Sequence, residues 1–275
     1  MTIITTLIEN SPGEHHGLWS EHGISFHVQK DGHSLLFDAG QSEAFIHNAA
    51  RLRVNLSATD FVVLSHGHYD HSGGFRCLCD YASDFELRIG KGFFEDKYAV
   101  RGAAHDFLGN DFDESFLSER GIRYSFASEA TEEILPGVYI LSNFPRLHDD
   151  EIINPRFLLR RNNAFEPDRF DDEILLAVDT PHGLVVLLGC SHPGMKNMLD
   201  AARNRLKRPI YAVLGGTHLV ESKGEGLERS LAYLNDGDIK IVGVSHCTGK
   251  EAVERLRESN AGFFHNVTGS SFIVE

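Results

Sequence analysis

The stretch from Phe61 to Gly74, FVVLSHGHYDHSGG, constrains this chain more than any other. Phe61 to Leu64 form an apolar run of the length and β-branched content of a buried strand. His66, His68, Asp70 and His71 then arrive within six positions. Histidines two apart in an extended turn point to the same side, whereas Asp70 and His71, beyond a bend, can face a second centre. Imidazole and carboxylate donors suit zinc, iron or manganese, and two such ions about 3.5–4 Å apart can act together. Gly67, Gly73 and Gly74 let the backbone turn closely around such a centre. No structural need collects three imidazoles and a carboxylate at one strand end, so the expectation is a metal site.

Later apolar runs end the same way. GLVVLLGCSH reaches His192, PIYAVLGGTHL carries His218 and DIKIVGVSHC reaches His246. Strand-end loops at one edge of a sheet are how a scaffold gathers ligands from distant parts of a chain. Taken alone, His218 reads as an ordinary polar strand end, and Cys190 and Cys247 as small packed residues. Asp38, at the end of HSLLFDAG, is expected to orient the metal loop from behind. His15, His16 and His105 sit in polar surroundings and read as surface.

Hairpins dominate the first half: residues 24–29 and 33–40 flank an Asp31-Gly32 turn signal. Helical spacing follows over 41–52, and ELRIG (86–90) and GVYILS (137–142) read as strands. In the second half strands alternate with helix-like segments near 194–206, 226–236 and 250–258. That is a layered architecture of sheets covered by helices. The segments near 91–135 and 145–172 are charged and turn-rich, and read as irregular walls of a substrate pocket. Lys97, Arg156, Arg160 and Arg161 lie in them as candidate anion clamps. With no linker, repeat or low-complexity tract, residues 1–275 read as a single domain.

Composition narrows the function classes. The 275 residues carry a formal charge of −14, which opposes nucleic-acid binding, since that needs a basic footprint. No run approaches a membrane span and the first residues lack signal-peptide character. Four cysteines, two of them at 77 and 79, suggest a reduced, cytoplasmic setting. Nothing in the sequence specifies an oligomeric state.

His-x-His-x-Asp-His with later strand-end histidines resembles the metallo-β-lactamase superfamily over nearly the whole chain. The resemblance implies an α+β fold, a four-layer αββα sandwich with a dinuclear site at one edge. It implies two divalent transition-metal ions, zinc first and iron or manganese as alternatives. His66, His68 and His192 would hold one ion, and Asp70, His71 and His246 the other. EHGISF, LSHGHYDHSGG, LLGCSHPGMKN, LGGTHLV and SHCTG together resemble the branch named for the methanopterin-pathway 7,8-dihydropterin-6-methyl-4-(β-D-ribofuranosyl)aminobenzene-5′-phosphate synthase. That resemblance implies a transferase of the dihydropteroate-synthase type acting on small phosphorylated aromatic substrates. The alternative is a metallohydrolase of phosphoesters, thioesters or lactones, with Asp70 orienting the attacking water; a ligand-sensing or redox role is the third reading.

One departure stands out. Many dinuclear relatives place a bridging aspartate between the last two ligand histidines, in a Gly-Asp-Thr setting. Here the stretch reads Gly215-Gly216-Thr217-His218. His218 is therefore expected either to join the metal ligands or to contact the substrate as a general acid or hydrogen-bond donor. Lys97 is the other expected substrate contact.

Overall fold

The computed structural model describes residues 1–275. Strands β1 (Thr2–Ile8), β2 (Ser25–Lys30) and β3 (His33–Phe37) open the chain, followed by helix α1 (Ala44–Leu52), β4 (Phe61–Val63), α2 (Tyr69–Ser72), α3 (Phe75–Tyr81) and β5 (Glu86–Gly90). Next come β6 (Asp96–Arg101), β7 (Ala104–Phe107), α4 (Glu114–Arg120), β8 (Arg123–Ala127), β9 (Thr131–Leu135), β10 (Val138–Leu141), β11 (Phe157–Arg161) and β12 (Ala164–Pro167). The chain ends with β13 (Leu175–Thr180), β14 (Gly183–Leu188), α5 (Met195–Leu206), β15 (Ile210–Gly216), α6 (Gly224–Asn235), β16 (Ile241–Ser245), α7 (Lys250–Ser259) and β17 (Ser271–Val274).

Two sheets face each other. A seven-stranded sheet runs β17-β1-β2-β3-β4-β5-β8 and a six-stranded sheet runs β16-β15-β14-β13-β10-β9. Side-chain alternation explains the layers. In β14, Val185 and Leu187 join the core between the sheets with Phe26, Val28 and Phe37. Leu184, Val186 and Leu188 point the other way, into a core shared with Met198, Leu199 and Ala202 of α5 and Leu227 and Leu231 of α6. Across the molecule, Val62 and Leu87 meet Phe45 of α1, Phe75 of α3 and Leu117 of α4. A strand covered on both faces needs a continuous apolar run, which is how β14 reads. The result is four layers, helix–sheet–sheet–helix.

The Asp31-Gly32 turn adopts φ 51° and 89°, the positive pair that a two-residue hairpin loop requires. The segments expected to be irregular are so only in part: residues 142–156 and 168–174 carry no helix or strand, but the remainder is largely ordered. β6, β7, β11 and β12 make a separate four-stranded sheet in the order β12-β11-β6-β7, and α4, β8 and β9 also fall within 91–135. Hydrogen bonding between β6 and β11, which are far apart in sequence, builds this flap. No helix is long and apolar enough to cross a membrane.

Strand direction positions the site. β3, β4 and β5 are mutually parallel, and so are β14, β15 and β16 in the facing sheet. Their carboxyl ends lie at one edge of the sandwich, where ligands bind in sheets of this kind.

Candidate metal centre

Asp38 follows β3, and His66 and His68 follow β4, with Asp70 and His71 in the single turn of α2. His192 follows β14, His218 follows β15, and His246 begins the 3₁₀ turn after β16. Five strand ends thus deliver these side chains to one place. Gly67 is required there: a Cβ would lie 2.2 Å from the Phe93 carbonyl oxygen.

His66, His68 and His192 form the first set, with one ring nitrogen of each inside a 4.8 Å cluster. All three rings are buried, and the Nε2 atom of each lacks any hydrogen-bond partner. A buried polar atom left unpartnered costs about 1–3 kcal/mol, so three pointing at one spot mark a place made for a ligand. Burial holds all three imidazoles well below their usual pKa, so each presents a neutral donor, the form a metal requires. The ring of Phe170 stacks on His192 at 3.7 Å.

The second set surrounds Asp70. Its Oδ2 lies 3.3 Å from His246 Nε2, 3.7 Å from His71 Nε2 and 3.1 Å from His22 Nε2. Burial would raise the Asp70 carboxyl, but His71 and the contacts with His22 and His246 outweigh it and keep the group well below the usual range. Cys190 Sγ is 3.2 Å from His71 Nε2 and 3.5 Å from His246 Nε2. It is buried, as a packed residue would be, but what it packs against is the donor set.

Several of these residues are held from behind, as metal ligands are. Asp38 Oδ2 lies 2.7 Å from His71 Nδ1, and its carboxylate also accepts from the Ser65 N–H at 2.6 Å and the Ser65 hydroxyl at 2.8 Å. Glu173 accepts the backbone N–H groups of Ser191 and His192, and burial pushes its carboxyl up to about 8. Glu9 Oε1 accepts the His246 N–H at 2.7 Å, and Asn10 Oδ1 lies 2.9 Å from His246 Nδ1. Glu9, Asn10, His22 and Glu173 were not singled out by sequence reasoning; only His22 had a signal, as part of EHGISF. Backbone strain gathers here too: Asp38, Phe170, Ser191, His218 and His246 all have φ between 51° and 64°, a region that non-glycine residues enter at a cost and mostly at functional sites.

Lys97 corrects the expectation of a substrate clamp. Its ammonium is buried and bonded to Asp168 Oδ2 at 2.8 Å and Asp172 Oδ1 at 2.9 Å. Asp172 Oδ2 in turn accepts the Gly67 N–H at 2.8 Å, and Asp168 Oδ1 accepts the Phe170 N–H at 2.7 Å. Lys97 therefore anchors the loop between His66 and His68 and the ring that covers His192. Arg160 and Arg161 are exposed, and Arg161 pairs with Glu95 and Glu166. Arg156 does line the pocket beside the donors, over the Phe157 ring at 4.1 Å and bonded through Nε to Glu221 at 2.6 Å.

His218 enters the same pocket. Its ring lies 4.3 Å from the His192 ring and its Nε2 is 3.2 Å from Glu221 Oε2. Burial lowers its pKa, but Cys247 and Glu221 outweigh that and raise it to about 10. The pocket has a volume of about 700 Å³ and also reaches Lys250, Arg257 and His265. His15, His16 and His105 are exposed.

Comparison with known proteins agrees with this geometry. The family model for the metallo-beta-lactamase superfamily matches residues 23–83, which include the His-x-His-x-Asp-His motif. The 7,8-dihydropterin-6-methyl-4-(beta-D-ribofuranosyl)-aminobenzene-5′-phosphate synthase of Methanocaldococcus jannaschii is 28% identical, over 93% of this chain and 90% of that one. The crystal structure of Tm1679, a metal-dependent hydrolase of the beta-lactamase superfamily, is 30% identical and superposes with a TM-score of 0.86, covering 100% of this chain and 99% of that one. A diphosphatase of the PhnP family, at 15% identity and a TM-score of 0.57, shares the fold. Kinship with Tm1679 from end to end places the chain: it belongs to the metallo-β-lactamase superfamily, on a branch resembling the methanopterin-pathway synthase.

Proposed function

We propose that the protein is a two-metal enzyme, with one divalent transition ion on His66, His68 and His192 and a second on Asp70, His71 and His246. Zinc is the first choice for the ions, iron or manganese the alternatives. The observation that carries this reading is the trio of buried, unpartnered Nε2 atoms of His66, His68 and His192, gathered within 4.8 Å of one another. When bound, the ions would supply Lewis acidity to phosphate oxygens and neutralise charge on a leaving group.

The substrate class follows from the pocket. Arg156, Lys250, Arg257 and His265 line the cavity together with Glu9, Asp70 and Glu254, so basic groups are at hand to pair with an anion bound at the ions. Leu108, Phe157, Val220, Val244 and Val253 add apolar wall for a ring. The Arg156 guanidinium is held in place by Glu221 and Phe157, and His218, which lines the same cavity, can donate to a departing phosphate oxygen. The kinship with the dihydropterin synthase supports a transferase in which an electron-rich aminobenzene phosphate displaces diphosphate from a dihydropterin methylene. A hydrolase of phosphoester, thioester or lactone substrates is the second reading, favoured by the likeness to Tm1679.

Diphosphate release from dihydropterin methyl diphosphate tests both. The transferase reading expects release only when the ribofuranosylaminobenzene phosphate acceptor is present. Release without acceptor would favour the hydrolase, and no release with no detectable binding of diphosphate by calorimetry would remove the phosphorylated substrate class. Nitrocefin should be turned over negligibly.

A further inference from the structure

We propose that Cys190 is a thiolate ligand of the metal centre, completing a four-donor site with Asp70, His71 and His246. The inference rests on the two-metal reading above and extends it to a residue outside the six expected ligands. With metal–nitrogen and metal–oxygen bonds of about 2.0–2.1 Å and a metal–sulfur bond of about 2.3 Å, tetrahedral ligands stand about 3.3 Å apart for nitrogen and oxygen and about 3.6 Å apart for nitrogen and sulfur. Four of the six separations among these donors have that size. His71 Nε2 to Cys190 Sγ is 3.2 Å, Cys190 Sγ to His246 Nε2 is 3.5 Å, His246 Nε2 to Asp70 Oδ2 is 3.3 Å, and Asp70 Oδ2 to His71 Nε2 is 3.7 Å.

Two further observations point the sulfur at a ligand rather than at packing. Cys190 also falls within 4.8 Å of donor atoms of both His66 and His71, and His66 Nε2 is buried without a partner. Cys190 therefore stands between the two donor sets. The adjacent strand cannot supply a carboxylate at Gly216: a Cβ there would lie 2.2 Å from the Gly189 carbonyl oxygen and 2.5 Å from Cys247 Sγ. The Cys247 sulfur and the Gly189 carbonyl fill the volume that a side chain at 216 would need, so this strand offers no carboxylate in place of the Cys190 thiol. Cys190 is two residues before His192, so one strand end would supply a donor to each ion. On binding a divalent ion the thiol S–H breaks, the sulfur keeps the electron pair as a metal–sulfur bond, and the proton passes to buffer.

Cobalt(II) substitution of the whole protein tests this apart from activity. The expected result is visible d–d absorption, showing that cobalt occupies the site, together with a near-ultraviolet thiolate-to-cobalt charge-transfer band. That band should vanish in Cys190→Ser and Cys190→Asp and persist in Cys247→Ser; Cys190→Asp, which offers a carboxylate instead, should still bind two ions. Cobalt bound with d–d bands and no charge-transfer band in the unaltered protein would overturn the Cys190 ligand and leave the two-metal reading standing, as would a band lost only in Cys247→Ser. Failure to take up any metal would sink both.

Discussion

Asp38→Asn separates orientation of a ligand from its mere presence. Asp38 is buried, touches His71 Nδ1 at 2.7 Å and accepts twice from Ser65. Its φ of 59° suits asparagine, which tolerates the left-handed region, so the backbone should not move. Asparagine keeps an acceptor for the Ser65 N–H but turns an N–H₂ toward His71, which must then accept at Nδ1 and carry its proton on Nε2. That proton points at Asp70 and Cys190, where the ion is needed. Losing a hydrogen bond to a charged partner costs about 1.5–3 kcal/mol of stability in the metal-free protein. Losing the outer partner of a ligand histidine costs about 10–100-fold in metal affinity, which is about 1.4–2.7 kcal/mol. Competition titration with a chromophoric chelator should show one ion bound as in the unaltered protein and the other weakened by that factor. Two ions bound with unaltered affinity would refute the argument that Asp38 sets the His71 tautomer.

Three further outcomes are expected. His218→Ala should lower turnover by about a hundredfold or more, the scale of a lost general acid, with metal content measured by emission spectrometry unchanged; depletion of one ion would instead make His218 a ligand. Lys97→Met leaves Asp168 and Asp172 buried without their cation and should cost about 3–5 kcal/mol in urea unfolding, whereas a raised KM at unchanged stability would restore Lys97 as a substrate clamp. His27 is buried, with its pKa lowered by burial from the ordinary 6.5 to about 4. The unfolded chain therefore takes the proton first as pH falls, so stability is full above about 6.5 and about 3 kcal/mol is lost between 6.5 and 4; His27→Gln should flatten the unfolding free energy over that window, and an unchanged pH slope would contradict this.

The strand-end histidines were legible because a motif and an apolar run are both local. Phe61 to His71 announces a strand and its donors in eleven residues, and β14 to β16 repeat the form. The Asp31-Gly32 hairpin was legible because positive φ has few residue choices. The flap of β6, β7, β11 and β12 was not: its strands are short and half exposed, and its central pairing joins Asp96–Ala99 to Phe157–Arg160, which no periodicity reveals. Lys97 looked like a surface base because its partners, Asp168 and Asp172, lie 71 and 75 residues downstream. Glu9 and Glu173 act on backbone N–H groups, so no side-chain motif marks them.

Metal content tests the central claim most directly. Protein purified without chelator and analysed by plasma emission spectrometry should carry two transition ions per chain, and His66→Ala and His246→Ala should each lose at least one. Full metal content in both variants would contradict the assignment of these strand-end histidines as a metal centre.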